Sequence, residues 1–418
     1  MNQLVFTILL IAAMAVLLRS FWQIRANFAR TREVAFDGQV MKRLRLTATV
    51  ALGQTKILRK PFIGLMHALV FWGFIVITIG SLEMVIDGVS GWHRSLSILG
   101  PFYTLIAASG DIFAYVVLAG IVLFLARRLL MHIRRFDGVE LTKANKTDAA
   151  IALGFIMLLM LSLIGLNMTD LYLHGDALPG AYPISAWLLP YFDLSTVNAE
   201  VMYKFYWWSH ILLIFIFANY LPYSKHFHVF MSLPNVFFSN LNPLTYLPSM
   251  PEVQKEVALM LSGNASDATP PEQAQRFGVK DVEDITWKNY MDALTCTQCG
   301  RCTEVCPANI TGKLLSPRKI FVDIRARMDD KSKNGSGKFL LGDYISKEEL
   351  WACTTCNACA QECPLNISHP NLIMDMRRYL VLEEGAAPDE LNAMFANIEN
   401  NGAPWKYSAE DRLKWTEA

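Results

Sequence analysis

Four cysteines at 296, 299, 302 and 306 are followed by a proline, and the same spacing and proline recur at 353, 356, 359 and 363. These two runs hold all eight cysteines of the chain. Staples of a secreted protein would be scattered, whereas thiols clustered at short fixed spacing point to metal ligation. The pattern C-x2-C-x2-C-x3-C-P wraps three corners of one cubane in a tight turn and aims its fourth thiol at a second cubane. Cys296, Cys299, Cys302 and Cys363 are therefore expected to hold one 4Fe–4S cluster. Cys353, Cys356, Cys359 and Cys306 are expected to hold the other. Structural zinc also uses C-x2-C pairs, but a duplicated four-cysteine run with a trailing proline has the wrong periodicity for a zinc ribbon. A three-iron cluster is disfavoured because neither run lacks a cysteine.

The cysteine-free remainder has a different character. Hydrophobic residues make up 53% of the chain and the mean hydropathy is +0.28, too apolar for a soluble protein of this size. Five segments are long and apolar enough to cross a bilayer: Met1–Leu18, Pro61–Leu82, Leu105–Ala126, Ala149–Thr169 and Phe205–Ser224, the last expected to continue as helix past His228. In the first, the basic residues Arg19, Arg25, Arg30 and Arg32 follow the apolar run rather than precede it. That argues for a retained helix, not a signal peptide. Segments 19–60 and 127–148 carry ten and six Lys/Arg, against one each in 83–111 and 170–204. This bias places the N-terminus outside and the cysteine region in the cytoplasm of a cell inner membrane, the compartment that keeps thiols reduced.

Ionisable residues inside membrane helices are functional candidates by default. His67 lies near the inner start of helix two, His210 near the outer end of helix five and His228 near its inner end. The two histidines of helix five are 18 residues apart, five helical turns, so they would share a face about 27 Å apart, with Pro222 free to bend that register. In-line histidines at two depths suit a helix that supplies ligands to stacked haems, and His67 has the depth to complete an inner haem with His228. The plainer alternative is a set of bundle histidines bonded to neighbouring hydroxyls. His93 and His174, on the outer side, are candidate partners for His210. His132 reads as interfacial charge, and His369 follows the second cysteine run. Glu83 and Asp111 read as residues reaching the outer interface, and Phe205, Tyr206, Trp207 and Trp208 as an interfacial aromatic belt.

Two stretches carry a family resemblance. WKNYMDALTCTQCGRCTEVCPANITGKLLSPRKIFVDIR (287–325) and WACTTCNACAQECPLNISHPNLIMDMRR (351–378) resemble the ferredoxin modules of heterodisulfide reductase-related iron–sulfur oxidoreductases. Some members of that group pass electrons from electron-transfer flavoprotein to menaquinone. Asn357 stands where the first run has Gly300. The membrane half resembles the gamma subunit of respiratory nitrate reductase, which has five helices and b haems held between helices two and five. LPYSKHFHVF (221–230) looks like that family's end of helix five, which implies a ligand at His228, and His210 falls on another ligand position. The family's second histidine on helix two is missing, since Ile77, Thr78 and Glu83 occupy that neighbourhood.

The expected fold is all-α, a five-transmembrane-helix cytochrome b-like bundle followed by an α-helical ferredoxin domain. The expected boundaries are 1–230 for the membrane domain, 231–285 for a linker with its turn-rich stretch Gly263–Pro271, 286–385 for the two-cluster domain and 386–418 for a polar tail. Between Cys306 and Cys353 lie 46 residues, with helix expected from Ile320 to Met328 and again from Pro370 to Leu382. No glycine-rich nucleotide loop is present, so neither flavin, nicotinamide nor nucleic acid is expected on this chain. The expected cofactors are two 4Fe–4S clusters and haem b, one with a second allowed for, and the expected substrate is menaquinone or another quinone. The expected partner is a cysteine-rich iron–sulfur oxidoreductase or an electron-transfer-flavoprotein-type protein, because no further cysteine-rich module follows the second run. No nucleophile or acid–base pair stands out, so the expected chemistry is one-electron transfer. A non-catalytic relay whose quinone site lies on another subunit, and a membrane redox sensor, are the rival readings.

Overall fold

The computed structural model describes residues 2–262, 276–335, 337–406, 408 and 410–417. The stretch Gly263–Pro271, expected to be a linker, lies outside the described residues. Helices dominate, and among the described residues there is no strand, only two isolated bridges.

Among the described residues, five helices are long and apolar enough to cross a membrane. They are α1 (Gln3–Phe28), α2 (Pro61–Ser90), α3 (Pro101–Leu130), α4 (Lys143–His174) and α5 (Thr196–Tyr220). Their starts are written locally. Pro61 and Pro101 sit in the first turn, where a missing N–H costs nothing. Asn2, Thr142 and Ser195 accept backbone N–H groups as N-caps. Each helix packs against its sequence neighbour, and α1 also packs against α5, closing a ring.

Helix five does not run on through His228. Pro222 removes a backbone donor, and α5 gives way to two short turns, Leu221–Tyr223 and Lys225–Phe227, on either side of an extended Ser224, before α6 (His228–Phe237) starts. His210 and His228 are thus not on one continuous helix face. A broken helix leaves carbonyls without partners. Here the guanidinium of Arg325 donates to Pro222 O at 3.1 Å and to Ser224 O at 3.2 Å.

Glu83 and Asp111 do not snorkel. Glu83 is 3% exposed and accepts from Leu96 N and from the Tyr103 hydroxyl. Asp111 is 1% exposed and accepts from the backbone N–H groups of Ile184 and Ser185 and from the Ser185 hydroxyl. Both carboxylates tie loop backbone to the helix ends, as buried polar groups must. The aromatic belt is also only partly a belt. Phe205 is exposed, but Trp207 is buried against Phe6 at a 5.7 Å ring separation.

Beyond the bundle lies the cysteine-bearing domain. It includes α7 (Trp287–Thr295), α8 (Pro317–Asn334) and α9 (His369–Leu382). Its core is built from Tyr290, Ile320, Phe321, Ile324, Leu372 and Met376, among others. The stretch 231–285 is more than a tether: Val279, Val282 and Ile285 are buried in that same core. The end of α1 reaches it as well, where Phe28 meets Tyr290 edge-on at 4.9 Å and Asn27 donates to the Tyr290 hydroxyl.

Candidate functional site

The two cysteine runs fold into matching loops. Gln298 and Thr355, at equivalent positions, both have left-handed backbone, and so do Gly300 and Asn357 two residues later. The repeated left-handed turns curl each loop around its three thiols, and Thr355 N–H approaches Cys353 Sγ at 3.4 Å. At Gly300 a side chain is barred: a Cβ would sit 2.4 Å from the carbonyl oxygen of Arg135. Asn357 has φ 62° at the equivalent position, and asparagine is the residue after glycine that best tolerates this conformation. The substitution noted in the sequence therefore leaves the turn intact.

The fourth thiol of each run crosses over. Cys306 lies with Cys353, Cys356 and Cys359 around a small cavity, and their charges are mutually felt. Cys363 is grouped in the same way with Cys296, Cys299 and Cys302. None of the eight forms a disulfide. Burial pushes the Cys296 thiol up to about 11 and those of Cys359 and Cys363 to about 12. Buried thiols facing one another favour a bound cation that takes the protons' place.

The first quartet faces the membrane bundle. A cavity of about 570 Å³, within the usual range of roughly 300–1,000 Å³ for a cofactor site, runs from the Cys299 loop into the helix ring. His67, His210 and His228 all line it, and so does His226, whose ring lies 5.8 Å from that of His228. His228 Nδ1 lies 3.2 Å from Lys225 O, and His210 Nδ1 lies 3.1 Å from Leu159 O and 2.9 Å from Ser162 Oγ. A ring nitrogen anchored on a carbonyl leaves Nε2 as the ligand atom. His67 Nδ1, Gln54 Oε1 and Arg135 Nε are buried without a hydrogen-bond partner, and all three residues line this cavity. Arg127, Arg128, Arg135 and Lys225 line it too. Histidines with free nitrogens and cations for two propionates are the donor set that haem needs, so the residues present fit it.

His210 shares no cavity with His93 or His174. It also lines a second cavity of about 50 Å³, and that lining includes neither His93 nor His174. Those two instead meet at Asp170, with ring centroids 5.1 Å apart. His132 is exposed beside Asp137. His369 is buried, edge-on to Phe321 at 5.1 Å.

The docking of the two halves is a feature the sequence left unassigned. Lys56, Arg59 and Lys60 belong to the basic stretch before α2. Lys56 Nζ donates to Cys363 O at 3.1 Å, Arg59 donates to Gln361 O at 3.2 Å, and Lys60 pairs with Glu304 at 3.0 Å. In return Arg301 donates to Lys56 O at 3.1 Å. Basic residues that bias orientation thus also clamp both cysteine loops to the bundle.

Comparison with known proteins agrees with this architecture. Residues 295–367 match the 4Fe-4S dicluster domain family. Over 420 residues the chain is 30% identical to the probable iron-sulfur-binding oxidoreductase FadF of Bacillus subtilis, covering 91% of this chain and 56% of that protein. It is 27% identical over 460 residues to the EtfAB:quinone oxidoreductase of Syntrophomonas wolfei, covering 99% of this chain and 59% of that protein. The chain thus spans little more than half the length of these relatives. A shorter match, 30% identical over 146 residues, links 32% of the chain to 35% of one subunit of the dihydromethanophenazine:CoB–CoM heterodisulfide reductase of Methanosarcina acetivorans. No solved structure matches the chain significantly. What these findings share is electron transfer through 4Fe–4S centres.

Proposed function

We propose, on the premise that this chain is a homologue of membrane iron–sulfur oxidoreductases, that it passes electrons between a soluble redox partner and a membrane quinone through two 4Fe–4S clusters and one haem b. One observation carries the reading. The cavity lined by His67 and His228 opens onto the loop of Cys299, so a haem held there adjoins the first cysteine quartet.

In this reading Cys296, Cys299, Cys302 and Cys363 hold the cluster next to the bundle. Cys353, Cys356, Cys359 and Cys306 hold the outer one, which meets the soluble partner. His67 and His228 would hold the haem iron. When bound, these groups supply one-electron carriage and the protein sets their spacing and potential. The hydrogen bond to Lys225 O orients His228, and the cationic residues lining the cavity neutralise the propionates. His210, anchored through Nδ1, turns Nε2 to the same cavity. With neither His93 nor His174 in its cavity, it serves as a hydrogen-bond partner for the quinone head group rather than as one arm of a second haem. The cluster domain lies on the cytoplasmic side of the inner membrane, following the Lys/Arg bias. A flavoprotein of the electron-transfer type is the proposed partner, from the name of the Syntrophomonas relative, and substrate chemistry is assigned to the partner.

The test is compositional and then functional. Anaerobically purified protein is expected to hold about eight non-haem irons with matching sulfide and one haem b per chain, and a quinol analogue is expected to reduce the haem. Normal haem spectra without quinol reduction would move the quinone site to another subunit and leave a relay. A colourless protein free of acid-labile sulfide would end the reading altogether.

A further inference from the structure

We propose that His93, Asp170 and His174 form a divalent transition-metal site, of the zinc type, at the end of the helix bundle opposite the cluster domain. The three come from two elements. Asp170 and His174 are one turn apart on the last turns of α4, hence on one face. His93 comes from the loop that follows α2.

Their geometry is that of ligands to a common ion. One ligand atom from each lies within 4.8 Å of the others. Asp170 Oδ1 is 3.2 Å from His93 Nε2 and 2.9 Å from His174 Nδ1. Tetrahedral zinc with bonds of about 2.0–2.1 Å holds its ligand atoms roughly 3.3 Å apart. Despite those distances, Asp170 Oδ1 makes no hydrogen bond, although Asp170 is fully buried. Atoms that converge on a third point, instead of on each other, sit close without hydrogen-bond angles. An orphaned buried carboxylate oxygen is costly in a protein that has no ion there.

Charge favours a cation here even though a guanidinium is near. Arg94 donates to Asp170 Oδ2 at 2.7 Å through Nη2 and at 3.1 Å through Nε, and it lies 4.0 Å from Glu83. Asp87 accepts from the backbone N–H groups of Arg94 and Ser95. One fixed positive charge is thus set among three carboxylates. Both histidine side chains are a little over 40% exposed, which leaves an entry path and an open coordination position for water. Two imidazoles with one carboxylate select zinc or its late first-row neighbours over magnesium or calcium. Bound metal would staple the loop after α2 to α4.

The test uses cluster-intact protein, purified anaerobically and stripped with a mild chelator, then dialysed against zinc and analysed for metal. Wild type is expected to retain one zinc more per chain than the His93→Gln/His174→Gln double variant. Each single variant should weaken binding by at least about tenfold, with iron and sulfide content unchanged. Equal zinc in wild type and double variant, or none in either, would overturn the proposal. A measurement on wild type alone guards against misfolded variants. Zinc should protect His93 and His174 from diethylpyrocarbonate, read by mass spectrometry, while His132 stays reactive, and labelling of His93 and His174 that zinc does not change would equally overturn it.

Discussion

Arg318 of the cluster domain and Glu140 of the loop between α3 and α4 form an ion pair of 2.7 Å with both side chains shut away from solvent. Ser316 adds a hydroxyl to the same carboxylate oxygen, and the remaining Arg318 N–H groups reach Arg135 O and Asp137 O. Each guanidinium nitrogen of Arg318 has an acceptor, which is the condition under which a buried pair holds. Glu140→Gln is expected to cost on the order of 3–5 kcal/mol, because it strands a buried guanidinium. The loss should appear as a lower midpoint of thermal unfolding. The double replacement Glu140→Leu/Arg318→Met is expected to recover much of it.

The crossed cysteines make an exchange prediction. Cys363→Ser should destroy the cluster that Cys296, Cys299 and Cys302 share, although Cys363 lies in the other run. Cys306→Ser should destroy the opposite cluster. Each variant is expected to keep about four irons, and their low-temperature EPR spectra should be complementary. Were Cys363→Ser to remove the cluster of its own run, the pairing would be wrong.

Haem content separates three of the four histidines that line the cavity. His67→Ala and His228→Ala are each expected to abolish the pyridine haemochrome signal while leaving iron and sulfide intact. His210→Ala is expected to keep the haem and to slow its reduction by quinol at least tenfold. Equal haem loss in all three variants would make His210 a ligand instead.

Gly300 and Asn357 occupy equivalent left-handed positions but differ in surroundings. Gly300→Ala drives a Cβ onto Arg135 O and is expected to cost more than the roughly 1–2 kcal/mol of conformational strain alone. Asn357→Gly is expected to be close to neutral. Thermal unfolding of the cluster-loaded proteins compares them directly.

Burial holds His369 neutral, its pKa pushed down to about 4 from 6.5. The unfolded chain therefore binds a proton that the folded one refuses, and stability is lost as pH falls from about 6.5 toward 4. At about 1.4 kcal/mol per pH unit, this one residue withdraws on the order of 3 kcal/mol by pH 4. His369→Gln should flatten that part of the stability–pH curve, and an unchanged slope would show that the group is charged in the fold.

Some of this was legible residue by residue. The two cysteine runs, the five apolar helices and the helices over Ile320–Met328 and Pro370–Leu382 follow from local spacing and composition, although the first of those two runs from Pro317 to Asn334. The reading of α5 as one helix through His228 failed because Pro222 stops it and Arg325, more than a hundred residues away, satisfies the carbonyls left behind. Glu83, Asp111 and Trp207 were misread for one common reason. In a membrane helix the sequence gives depth but not facing, and only a neighbour such as Ser185 or Phe6 shows which way a side chain turns.

By itself the sequence determined the thiol sets and the number of apolar helices. Cluster ligation depends on spacing within a few residues, and the cost of exposing peptide groups to lipid falls on each segment alone. Only the tertiary structure decided that His67, His210 and His228 line one cavity, that Pro222 and Arg325 meet where α5 ends, and that His93 and His174 meet at Asp170. Each of these relations joins residues from separate elements, and the direction in which a side chain points is fixed by packing, which no local pattern encodes.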